Sequence, residues 1–133
     1  MIDKDDKQTV DALREAIRDD CRRVAMLDTL PEADRRGKYR NAIRDLKARL
    51  RQSGEDWLRL SMLGRFLAPT KNAAFIDGFF RDWVRSPEFQ EMKRKAYAAL
   101  DVGDADRFLQ IALEIRAISR DIILGYGGTE LEQ

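Results

Sequence analysis

The sequence predicts an all-α fold, with about five to six helices in a compact bundle that ends in an antiparallel helical hairpin. Three observations predict it. Apolar residues recur at spacings of three, four and seven along most of the chain, the signature of one buried stripe per helix. Glycine and proline number only 8 and 3 and fall in clusters, whereas an all-β chain needs turn residues roughly every 8 to 12 positions. Charged residues make up 37% of the chain, above the usual quarter or so, as long amphipathic helices require.

The first helix is expected to start between Asp6 and Thr9 and to bury Val10, Leu13, Ile17, Val24 and Leu27. Asp20 falls where the next apolar residue belongs, and Cys21 takes its place. The stripe stops at Leu30 and Pro31. Thr29 followed by Glu32 has the form of a capping box, with Pro31 in the first turn where its missing N–H costs nothing, so a second helix is expected there. Gly37 marks an interruption of that helix. Beyond it Tyr39, Ile43, Leu46 and Leu50 form a narrow seam that Ser53 and Gly54 close. A third helix, capped by Ser53 with Asp56, then carries Trp57, Leu58, Leu60, Met62, Leu63, Phe66 and Leu67, apolar on most sides and central to the core.

Ala68, Pro69 and Thr70 break the chain before a fourth helix with Phe75, Ile76, Phe79, Phe80, Trp83 and Val84, in which Gly78 suggests the close approach of a neighbouring backbone. Ser86 and Pro87 give the clearest boundary, a hydroxyl N-cap followed by proline at the first helical position. The fifth helix carries Phe89, Met92, Ala96 and Leu100. After a short connection with Gly103, Asp104 caps a sixth, whose Phe108, Ile111, Ile115, Ile118 and Ile122 keep three-four spacing as a coiled-coil seam does. These two helices make the hairpin. One core suffices for 133 residues, so residues 1–124 read as a single domain. Residues 125–133 read as a flexible acidic tail after the glycines that follow Leu124.

Histidine is absent and Cys21 is the only cysteine. An intramolecular disulfide is therefore impossible, and the usual zinc sites, the Ser-His and Cys-His dyads and the neutral-pH proton shuttle are excluded. Asp101, Asp104 and Asp106 resemble a fragment of a metal loop but lack its alternation and its distal bidentate Glu, so capping explains them better. Gly125, Gly127 and Gly128 follow a helix instead of opening one, unlike a phosphate loop. The expectation is a protein that is not an enzyme and uses no metal or cofactor. The N-terminus lacks the apolar stretch of a signal peptide, and no apolar run approaches the span of a bilayer, so a cytoplasmic protein with no membrane partner is expected.

Charge follows an order along the chain. Residues 1–20 carry a net −3, residues 21–54 a net +6, residues 55–100 a net +2 and residues 101–133 a net −4. Either the acidic ends fold onto the basic segment, within one subunit or between two, or a basic face is left open to phosphates. Arg36, Arg40, Arg44, Lys47 and Arg51 share one face beside the apolar seam and could track a nucleic-acid backbone. The competing reading is a solvated face with helical ion pairs such as Asp45 with Arg49. Nine of the eleven aromatic residues lie between Trp57 and Phe108; their helical spacing makes them core residues, with base stacking or an interface as other uses.

Residues 72–79 (Asn-Ala-Ala-Phe-Ile-Asp-Gly-Phe) and 81–89 (Arg-Asp-Trp-Val-Arg-Ser-Pro-Glu-Phe) resemble a segment of the small terminase subunits of tailed bacteriophages. The stretch from Ser86 to Ile118 is similar to C-terminal hairpins of small phage packaging and virion proteins. The resemblance implies DNA recognition through an N-terminal helix-turn-helix and ring formation through a helical hairpin. It makes the seam Phe108, Ile111, Ile115, Ile118 and Ile122 a candidate oligomer interface. Together with the charge pattern, it predicts a non-catalytic, homo-oligomeric helical protein assisting DNA packaging or particle assembly, with DNA on its basic helix. The alternative is a protein–protein module, such as a phage-encoded inhibitor or a small bacterial adaptor, that docks onto another phage or host protein.

Overall fold

The computed structural model describes residues 4–63, 66–67, 78, 81–125 and 129–130. Helix α1 spans Lys4–Leu27, α2 Glu32–Arg36 and α3 Arg40–Leu63. The described part of a fourth helix, α4, is residue 78 and residues 81–85. Helix α5 spans Pro87–Asp101 and α6 Ala105–Gly125. Two-residue strands Phe66–Leu67 (β1) and Thr129–Glu130 (β2) pair antiparallel, with Phe66 opposite Glu130 and Leu67 opposite Thr129. The bundle expected from periodicity is therefore present, and the short ladder was not anticipated. It draws in two residues of the segment expected to form a tail.

Helix α3 is the spine. It packs against α1, α2, α5 and α6, while α5 and α6 pack closely on each other as the expected hairpin. Helix α1 runs antiparallel to α3, since Arg14 meets Trp57 and Asp20 meets Arg49. Helix α5 runs parallel to α3 where they meet, with Tyr97 at Arg51 and Leu100 at Gly54. The core joins Ile17, Cys21 and Val24 of α1 with Leu46, Leu50 and Leu58 of α3. It continues through Phe89, Ala96 and Leu100 of α5 to Phe108, Ile111, Ala112 and Ile115 of α6. Each fully buried Leu, Ile, Val or Phe side chain contributes about 1.5–3 kcal/mol by leaving water.

The predicted break at Ser53 and Gly54 does not occur. Helix α3 runs through both, because Gly54 is buried where three helices meet. A Cβ built on Gly54 would lie 2.5 Å from Leu100 Cδ1 and 3.3 Å from the Phe108 ring. The close approach expected at Gly78 belongs to Gly54 instead, since among the described residues a Cβ at Gly78 meets nothing within 4 Å. The segment from Trp57 is thus the end of α3, with Leu58 buried and Leu60 exposed. Phe75, Ile76, Phe79 and Phe80 lie outside the described residues. Trp83 is buried edge-on against Phe89, ring centres 5.4 Å apart.

Local caps follow the sequence at two of four places, since Ser53 lies inside α3. Ser86 Oγ accepts from Phe89 N at 3.2 Å with Pro87 at the first position of α5, and Asp104 Oδ1 accepts from Arg107 N at 3.1 Å at the start of α6. The Thr29 capping box is not formed. Pro31 takes the N-cap position of α2 without a side-chain cap, and Thr29 instead donates to the Met26 carbonyl at the end of α1.

The α5–α6 turn is a complete Schellman motif, in which Gly103 N donates to Leu100 O and Asp104 N to Ala99 O, at 3.0 and 2.8 Å. Gly103 has φ +75°, and a Cβ there would press on the Cys21 carbonyl and lie 3.0 Å from Ala25 N. The hairpin's tip therefore seats on α1 at bare backbone.

Candidate nucleic-acid interface

The two charged flanks of α3 differ. On the flank facing α1, charge is neutralised. Arg14, Arg18, Arg22 and Arg23 of α1 pair with Asp11, Glu15, Asp19 and Asp20, one turn back along the same helix. Asp20 is also the partner of Arg49, which replaces the expected Asp45–Arg49 pair; Asp45 lies 3.5 Å from Arg44. Part of the acidic N-terminal segment thus folds onto the basic one within the chain. Cys21, beside Asp20, is buried, and its thiol is pushed up to about 11 by loss of water and then by the nearby Asp20 and Asp104 charges.

On the flank facing α5 the cations have no such partners. Arg40, Lys47, Arg51 and Arg59 of α3, and Lys93 of α5, form no ion pair among the described residues. The Arg51 guanidinium lies 4.4 Å from the centre of the Tyr97 ring and the Lys93 ammonium 5.7 Å from it, so two cations share one half-buried aromatic ring. Burial raises the Tyr97 hydroxyl above its usual range. The Glu55 charge adds to this, while Arg51 and Arg59 oppose it.

Of the five basic residues singled out from the sequence, Arg36 stands apart. The turn at residues 37–39 places it on α2, where it is 80% exposed and bound to Glu32 at 2.7 Å. The expected continuous face therefore starts only at Arg40. Arg44 is exposed and next to Asp45, which leaves Arg40, Lys47 and Arg51 as the members of the set without an ion pair among the described residues. Tyr97, Lys93 and Arg59 were missed. Lys93 and Tyr97 stand one helical turn apart, a local signal that could have drawn notice, but their meeting with Arg51 is a product of the fold.

The proposed interface seam lies elsewhere. Phe108, Ile111 and Ile115 are buried in the chain's own core, and Ile118 and Ile122 are partly buried against it. Their contacts are made within the chain, so the first three have no free surface to offer a second copy.

Among the described residues no group of three or more Cys, Asp or Glu side chains is placed to hold a metal ion. Asp104 is occupied as a cap, and Asp101 and Asp106 are exposed. No described helix is long and apolar enough to cross a membrane. No family model matches the chain, and comparison with curated proteins and with solved structures gives no match either.

Proposed function

We propose that the chain is a non-catalytic helical protein of the phage type, assisting DNA packaging or particle assembly, and that nucleic acid lies along the α3–α5 flank. One observation carries this reading: the arginines of α1 are each matched by a carboxylate, whereas Arg40, Lys47, Arg51 and Lys93 are matched by none among the described residues. Unmatched cations in a row are the electrostatic footprint of a polyanion partner. The likeness of residues 72–89 to small terminase subunits supports the packaging role. Self-association, the other part of the reading, would use the outer face of α6, where Leu113 and Leu124 are exposed, because the inner seam is already occupied.

Fluorescence anisotropy with a labelled DNA duplex, beside a native mass measurement, tests both parts. Binding that weakens steeply with salt and a mass that is a multiple of 15.4 kDa are expected; no binding at the lowest salt and a strict monomer refute it. A docking module for another phage or host protein is the second reading. It rests on Met26 and Val102, 70% and 61% exposed, brought to one end of the bundle by the contact of their neighbours Ala25 and Gly103.

A further inference from the structure

We infer that the α3–α5 flank grips the phosphodiester backbone irrespective of base sequence, with Tyr97 as the positioning residue that holds Arg51 and Lys93 ready as a pair of phosphate ligands. This rests on the nucleic-acid reading above and adds what is recognised and by what. The distances of the two cations to the Tyr97 ring centre keep their charges within about 10 Å of each other. Like charges that close repel unless an anion joins them, and Glu55 is the carboxylate whose charge is felt at Tyr97, against Arg51 and Arg59. The ring's electron-rich face offsets part of the repulsion and restricts both long side chains, which lowers the entropy lost when a phosphate arrives.

The row continues along α3. Lys47 stands one turn before Arg51, and Arg40 about two turns before Lys47, so the three cover about 16 Å of helix. Duplex DNA presents a phosphate on each strand roughly every 3.4 Å, so a row of this length meets several.

The surrounding chemistry disfavours base reading. Side-chain amides are the groups that recognise adenine edges. Here Gln52 is engaged with Asp56 at 3.2 Å, and Gln90 donates to the Val84 carbonyl at 2.6 Å. An anionic lipid surface would suit the charges, yet an interfacial helix must also offer an apolar face. The seam of α3, Leu46, Leu50 and Leu58, is buried.

The test uses the full chain and two labelled duplexes of equal length and unrelated sequence, titrated by anisotropy over a salt series. Engagement of phosphates by Arg40, Lys47, Arg51 and Lys93 gives a slope of log K against log salt near −3.6, roughly 0.9 per contact. The two duplexes should bind within about threefold of each other, since reading even one base pair is worth about 1–3 kcal/mol. Joint replacement Arg51→Gln and Lys93→Gln should weaken binding by about tenfold or more and reduce the slope by about 2. Tyr97→Leu should weaken binding with the slope retained, and Tyr97→Phe should bind as the parent does; circular dichroism and melting of every variant check the fold.

Strong discrimination between the duplexes, a slope unmoved by the double replacement, or binding of anionic phospholipid vesicles in preference to duplex would overturn the inference. If the parent chain binds no duplex even at low salt, the functional reading beneath it falls instead.

Discussion

Arg49 of α3 grips the carboxylate of Asp20 on α1 with two hydrogen bonds, Nε donating to Oδ2 at 3.1 Å and Nη2 to Oδ1 at 2.9 Å. Arg23 adds a third at 2.8 Å. The pair is lopsided, since the Asp20 side chain is 6% exposed and that of Arg49 62%.

That asymmetry sets the order of two substitutions. Asp20→Asn keeps the shape and an acceptor and frees two arginines that water can reach, so it should cost about 1 kcal/mol of stability. Arg49→Met should cost more, because it strands a buried carboxylate with Arg23 alone. Urea denaturation ranks them, and an equal or reversed order would contradict the geometry.

Gly54→Ala sets helix propensity against packing. Alanine favours the helix by about 1 kcal/mol, while its methyl group would lie 2.5 Å from Leu100 Cδ1 and 3.3 Å from the Phe108 ring, and overpacking of a core costs about 1–3 kcal/mol. Net destabilisation is expected, and Gly54→Leu should prevent cooperative folding. A thermal melt raised by Gly54→Ala would show that Leu100 yields freely.

At Gly103 propensity and packing act in the same direction. Alanine at φ +75° is strained by about 1–2 kcal/mol, and its methyl group would meet the Cys21 carbonyl and the Ala25 backbone, which cannot rotate away. Gly103→Ala should therefore cost more than Asp104→Ala, which removes a cap worth about 1 kcal/mol. Chemical denaturation of the two variants side by side decides it.

Cys21 links stability to alkaline pH. Its thiol titrates near 9.0 when solvated and near 11 in the fold. Below pH 9 both states hold the proton and stability is unaffected. Between 9 and 11 the unfolded chain releases it first, so stability falls as pH rises through that window. In parallel, alkylation of the native protein at pH 8 should be far slower than in denaturant; equal rates would mean that the thiol is not enclosed.

The helical fold was legible because its signals are local. Phe108, Ile111 and Ile115 share one face by spacing alone, and Ser86 and Asp104 each cap an amide three residues on. What escaped is settled by contacts between distant residues. Ser53 and Gly54 look like a helix end, and only the arrival of Leu100 and Phe108 makes glycine fit the middle of α3. Asp20 and Arg49 are 29 positions apart, and nothing near Arg49 says that it will leave Asp45 for α1. The candidate site was half visible: the cations of α3 stand in a row in the sequence, but Tyr97 enters from another helix.

The central place of α3 also bears on how the molecule comes apart. Helix α1 meets the hairpin at the Gly103 turn and along α6, and leans chiefly on α3. Helix α1 is therefore the part that can loosen first, leaving α3 with α2, α5 and α6 packed on it. Amide protons around Leu50 and Leu58 should be the last to exchange with solvent, and those of α1 should go earlier and together.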